Sequence, residues 1–190
     1  DIILLAMIAG FIFLRLRGIL GKRTGFEGKA SPQFEEMLKN INPEIKINKK
    51  TDFDENAKKE FLKGAQIAYE TIITDFGDSD NKLTTSKPLL SNKIYDQFNT
   101  ALKERGKRGH LAEITFIGVN SANIKEHKYL GKILQVTVEF VAEVITCIKD
   151  KDKKIVSGDP EKIKKIYDTW VFSRDTSTNN PNWQLVDTLT

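Results

Sequence analysis

Lys165-Ile166-Tyr167-Asp168-Thr169-Trp170-Val171-Phe172-Ser173-Arg174-Asp175 leads through a polar tip, Thr176-Ser177-Thr178-Asn179-Asn180-Pro181, into Asn182-Trp183-Gln184-Leu185-Val186-Asp187. β-Branched and aromatic residues fill both flanks, while Asn, Ser, Thr and Pro fill the tip, so the stretch predicts a closing antiparallel hairpin with a loop longer than two residues. Both tryptophans of the chain lie here. Trp170 and Trp183 are expected to anchor one core, and the upstream chain must supply the surface they pack against.

Upstream of the hairpin the hydrophobic period changes once. From Glu55 to Phe76 the residues Phe61, Ala65, Ala68, Tyr69, Ile72, Ile73 and Phe76 form one helical stripe. A short helix or turn is expected around Pro88. Ser91 then caps a second helix, striped by Ile94, Tyr95, Phe98, Ala101 and Leu102. Gly106 and Gly109 stop it, and Lys103, Arg105, Lys107 and Arg108 complement the negative end of its dipole. Beyond Gly109 the period is two. Leu111 to Val119 reads as a strand, and Ser121 to Gly131 as a polar connection with room for an edge strand. Ile133 to Ile148 reads as a strand with Leu134, Val136, Val138, Phe140, Ala142 and Val144 on one face. Asp150 to Lys153 turns the chain back, and Gly158-Asp159-Pro160 reads as a second break. Helices followed by an antiparallel meander give the α+β class.

Composition narrows the functions. The 190 residues are 39% hydrophobic and 29% charged, which suits a domain with a real core. The net charge of +4 is concentrated: residues 15–30 carry Arg15, Arg17, Lys22, Arg23 and Lys29 against Glu27, whereas residues 31–190 carry 25 basic against 24 acidic side chains. A nearly neutral fold argues against nucleic acid as a partner. The single cysteine, Cys147, in an apolar strand pattern, excludes an internal disulfide and reads as a buried thiol. His110 and His127 have no ligand pattern around them, so no metal site and no cofactor are expected. Asp168 alternates with Ile166, Trp170 and Phe172 on the inner face, where it accepts a hydrogen bond from an indole or a tyrosine, sits near the rim beside Arg174, or acts as a pocket base.

Ile2 to Leu14 contains no charge. As helix it reaches about 20 Å against a hydrocarbon core of about 30 Å, and Leu16, Ile19 and Leu20 extend it while Arg15 and Arg17 snorkel. Residues 1–20 therefore read as a membrane anchor, residues 21–50 as a basic then polar linker with a short helix, and residues 51–190 as the domain. Arg15, Arg17, Lys22 and Arg23 place the following chain on the cytoplasmic side and suit anionic lipid head groups, at about 1 kcal/mol for each basic residue near the surface.

Six short motifs then stand in a recognisable order: Phe61-Leu62-Lys63-Gly64-Ala65; Leu89-Leu90-Ser91 with Tyr95 and Phe98; Val136-x-Val138-x-Phe140; Gly158-Asp159-Pro160; Asp168-x-Trp170-x-Phe172-x-Arg174; and Asn180-Pro181-x-Trp183-x-Leu185. Together they resemble the Tim44-like domain, the C-terminal part of the peripheral subunit that tethers the motor of the mitochondrial presequence translocase, found also in bacterial proteins and a mitochondrial ribosomal relative. The resemblance implies a fold like nuclear transport factor two, a cystatin-like cone in which N-terminal helices pack on a curved antiparallel sheet of about four strands around an apolar pocket. Tyr69, Ile73, Tyr95, Phe98, Phe140, Trp170 and Phe172 are the expected pocket lining. The resemblance also implies a non-catalytic adaptor at a bacterial inner membrane, binding a cardiolipin-like anionic surface and a membrane or translocase protein. Two rival readings stand beside it. One is an isomerase-like or dehydratase-like pocket in which Asp168, Tyr69 and Tyr95 converge; the other is a ribosome-associated membrane tether.

Overall fold

A computed structural model of the chain describes residues 53–189. The expected anchor and linker, with Arg15, Arg17, Lys22 and Arg23, lie outside the described residues.

Helix α1 spans Glu55–Gly77 and starts where Asp54 accepts a hydrogen bond from the Ala57 amide (2.8 Å). Its stripe buries Phe61, Ala65, Tyr69 and Ile72. A single 3-10 turn at Lys87–Leu89 follows Ser86, and α2 spans Asn92–Lys107 under a Ser91 cap, burying Ile94 and Leu102. Four strands complete the domain: β1 (Leu111–Leu130), β2 (Ile133–Lys149), β3 (Ile155–Asp175) and β4 (Gln184–Leu189). They form one antiparallel sheet in the order β1-β2-β3-β4. The class is α+β, two helices packed on a four-stranded open sheet.

The inner face of β2 is the expected one, with Leu134, Val136, Val138, Phe140, Ala142 and Val144 all buried. Two strand boundaries differ from expectation. The segment read as a polar connection after Val119 continues β1, and Gly158-Asp159-Pro160 lies inside β3. Both differences have the same cause. Strand β1 slips register at Phe116/Gly118, Val119/Ser121 and Ile124/Glu126, and each bulge shifts the phase of the side chains while the pairing continues. In β3, Ile163 pairs with Ile145 but Asp159 pairs with Thr146, so Pro160, Glu161 and Lys162 bulge out, where a residue without an N–H is tolerated. A period-two reading loses the strand at such points.

Gly158 makes the second bulge possible. Its φ is +82°, and a Cβ there would run into the Thr146 carbonyl and sit 2.8 Å from the Cys147 Cα. Gly158→Ala should therefore lower unfolding stability by about 2 kcal/mol, measured by urea denaturation.

Arg105 departs from its expected role. It is 3% exposed and turned away from its own helix end. Its guanidinium donates to the Phe76 carbonyl (2.8 Å), the Asp78 carbonyl (2.7 Å) and Asn81 Oδ1 (2.6 Å), and lies 5.7 Å from the Phe76 ring centroid. Helix α1 has no basic residue in its last turn, so α2 supplies the cation that satisfies its terminal carbonyls. Burial lowers the Arg105 pKa to about 10, against the opposing pull of Asp78 and Asp80. Next to it, Asp75 accepts from the Thr85 and Ser86 amides and the Ser86 hydroxyl, fastening the connecting loop to the same helix end. Replacing Arg105 by Met leaves two carbonyls without donors and should cost about 3 kcal/mol. In the same denaturation assay, Lys107→Met on the exposed side should leave the midpoint unchanged.

Candidate functional site

The side chains singled out from the sequence meet where α1 crosses β2 and β3. Tyr69, fully buried, stacks on Phe140 with centroids 4.3 Å apart and planes 15° from parallel. Trp170 packs at 4.6 Å from the Tyr69 ring and edge-on to Phe140 at 5.9 Å. Phe172 continues the cluster from Phe140 (6.4 Å) to Phe61 (5.9 Å), and Phe61 meets Trp183 at 4.5 Å. The two tryptophans thus belong to one core without touching: Trp170 is central and buried, and Trp183 is half-buried at the rim under Arg174, whose guanidinium lies 5.2 Å from the indole.

Of the seven residues expected to line a pocket, Tyr69, Phe140, Trp170 and Phe172 are joined ring to ring in this cluster. Ile73 is half-buried on α1 against the same core. The other two come from α2: Phe98 packs on Phe76 at 5.1 Å, and Tyr95 lies under the Lys87 ammonium at 5.2 Å. A depression of about 400 Å³ lies elsewhere, on the outward side of α1, lined by Ile67, Glu70, Thr71, Thr74, Asp75 and Thr85.

Within this aromatic cluster lies a hydrogen bond between α1 and β3. The Tyr69 hydroxyl donates to Asp168 Oδ2 at 2.5 Å. Position 168 pairs with Phe140 in the sheet, so period two directs the carboxylate to the inner face, where α1 presents Tyr69. Burial raises the Asp168 pKa, and the tyrosine bond works the other way by favouring the anion. Tyr69 is itself raised, first by burial and then by the adjacent carboxylate, so it stays a donor. Of the trio weighed as a catalytic site, Tyr69 and Asp168 come together. No hydrogen bond among the described residues joins Tyr95 to them.

The pair has a pH signature. A carboxyl whose folded pKa exceeds its unfolded value binds its proton more tightly in the native state. Its contribution is full below the unfolded value, about 4, and is lost as pH rises through the folded one. Asp168→Asn, which keeps an acceptor and cannot ionise, should remove that part of the slope from the pH dependence of urea midpoints. Tyr69→Phe leaves the carboxylate without its donor and should cost about 2 kcal/mol at neutral pH and less in acid.

Among the described residues no His, Cys, Asp and Glu form a group that holds a metal ion. Cys147 is buried, its thiol facing Glu113, and burial raises its pKa. No helix of the described residues is long and apolar enough to cross a membrane.

Two helices laid on an open four-stranded antiparallel meander, with an aromatic interior between the layers, define an α+β domain of the kind typified by nuclear transport factor two. The profile of the Tim44-like domain matches residues 46–190, and the chain belongs to that family. A probable mitochondrial import inner membrane translocase subunit, tin-44, of Caenorhabditis elegans is 29% identical over 99 residues, which are 50% of this chain and 23% of that protein. The chain therefore spans less than a quarter of that relative's length. Among solved structures, the intermembrane space region of the chloroplast protein ARC6 superposes with a TM-score of 0.44 at 12% identity, over 67% of this chain and 94% of that one.

Proposed function

We propose that the chain is a non-catalytic adaptor at an inner membrane, serving protein translocation or membrane-protein assembly. The observation that carries this reading is the family match across residues 46–190, together with a relative whose name is that of an import translocase subunit. The interior agrees with a scaffolding role: its rings pack against one another, and the part-buried Asp168 is engaged by Tyr69.

In this reading Ile2 to Leu14 enters the bilayer and Arg15, Arg17, Lys22 and Arg23 meet anionic head groups, cardiolipin among them, with the domain on the cytoplasmic side of a bacterial inner membrane. A translocase or other membrane protein is the proposed partner. A lipid tail would reach Phe140 and Trp170 only by parting them from Tyr69, so exchange with partners is assigned to the surface.

Flotation with anionic vesicles tests the attachment. The full chain should rise with the lipid, deletion of residues 1–23 should leave most of it at the bottom, and replacing the four basic residues by Gln should make the remaining association less sensitive to salt. An unchanged floating fraction after the deletion would count against this anchor.

A further inference from the structure

The tip of the β1–β2 hairpin carries large apolar side chains in the open. Tyr129 is 49% and Leu130 is 53% exposed, and they precede a two-residue turn, Gly131-Lys132. Gly131 has φ +61°, the left-handed conformation that this type of tight turn requires at its first central position. A hairpin of ordinary solubility places polar residues there. Here Tyr129 pairs with Leu134 and Leu130 with Ile133, so the two exposed residues project to opposite faces of the sheet and no single layer of the fold covers both.

The surroundings are cationic and braced. From 125 to 132 the chain has Lys125, Lys128 and Lys132 against Glu126, with Lys125 held by Glu139 at 2.7 Å. The Lys132 carbonyl accepts from the Thr176 amide and hydroxyl, both at 2.8 Å, which fixes the tip to the β3–β4 loop. Asp175, the last residue of β3, accepts from the Ser177 amide and hydroxyl.

The described chain also begins at this end of the fold. Phe53 is buried and its ring lies 5.3 Å from His127 in β1 and 6.0 Å from Trp183. The 52 residues before it contain the uncharged run Ile2 to Leu14 and the basic cluster after it. The apolar tip and Phe53 thus share one end of the domain, while the β2–β3 turn at Lys151 lies at the other end of β2.

We propose that the β1–β2 tip is a second membrane contact, in which Tyr129 and Leu130 enter the interfacial layer of an anionic bilayer while Lys128 and Lys132 meet its head groups. An amphipathic aromatic beside an aliphatic side chain, flanked by lysines, has the chemistry of that layer, which accepts apolar bodies below and cations above. The contact gives the adaptor an orientation: with the tip at the membrane, the β2–β3 turn and the C-terminal end of α2 point away from it. It rests on the membrane-associated reading above.

A position-specific probe tests it. The full chain is incorporated into vesicles of phosphatidylcholine and phosphatidylglycerol, with an environment-sensitive fluorophore on a cysteine introduced by Leu130→Cys or, at the opposite end, Lys151→Cys. Cys147 is buried and leaves the introduced thiol as the reactive one. Bilayer-embedded nitroxide lipids should quench the label at 130 about threefold more than the label at 151, and pure phosphatidylcholine should reduce the difference. Lys132→Cys should give the same ordering if Leu130→Cys disturbs the turn. Equal quenching at both ends in a chain that still floats overturns the tip contact alone; a chain that does not associate with vesicles at all overturns the membrane reading with it.

Discussion

Tyr69 does two things with one side chain, and the domain depends on both. Its ring stacks on Phe140 and leans on Trp170, and its hydroxyl donates to Asp168. The first contact contributes the area and edge geometry that make aromatic pairs effective in cores. The second removes the cost of burying a phenol and a carboxyl separately, because each is the other's partner. Helix α1 is thereby fixed to the sheet in rotation as well as in position: a helix turned by one residue would withdraw the hydroxyl and leave the acid without a donor. The Arg105 contacts act at the far end of the same helix, tying its last carbonyls to α2. One helix is thus pinned at its middle to the sheet and at its end to its neighbour.

The inner face of the sheet is spent on its own helices, and the acid that a catalytic reading needs is engaged by Tyr69. At one end of the domain the β1–β2 tip, Arg174 over Trp183 and the buried ring of Phe53 come together. In the proposed adaptor role such features act through their placement, and a rigid aromatic interior keeps them in fixed relation.

Much of this was legible in the residues. The stripes of α1 and α2, the inner face of β2, the Ser91 cap and the inward position of Asp168 all follow from periods of 3.6 and two, because one side of each element must meet the core. Strands β1 and β3 were legible only in part, since each bulge at Phe116/Gly118, Val119/Ser121 and Ile124/Glu126, and the three residues from Pro160, interrupts the alternation while the ladder continues. Arg105 was misplaced for a different reason. A basic residue at a helix end normally serves that helix, and nothing local shows that a second helix end, without cations of its own, lies within reach. The exposed Tyr129 and Leu130 were hidden in a stretch that otherwise reads as polar connection, and their meaning comes from sharing an end with Phe53, a relation only the fold supplies.

The central claim is that the domain meets a membrane by one end with its interior closed. Hydrogen–deuterium exchange of the full chain, free and on anionic vesicles, tests it most directly. The account predicts added protection at residues 126–132 on the vesicles and unchanged, slow exchange through Tyr69, Phe140 and Trp170. Unchanged exchange at the tip, or faster exchange of α1 and β2 on the membrane as the interior opens to lipid, would contradict it.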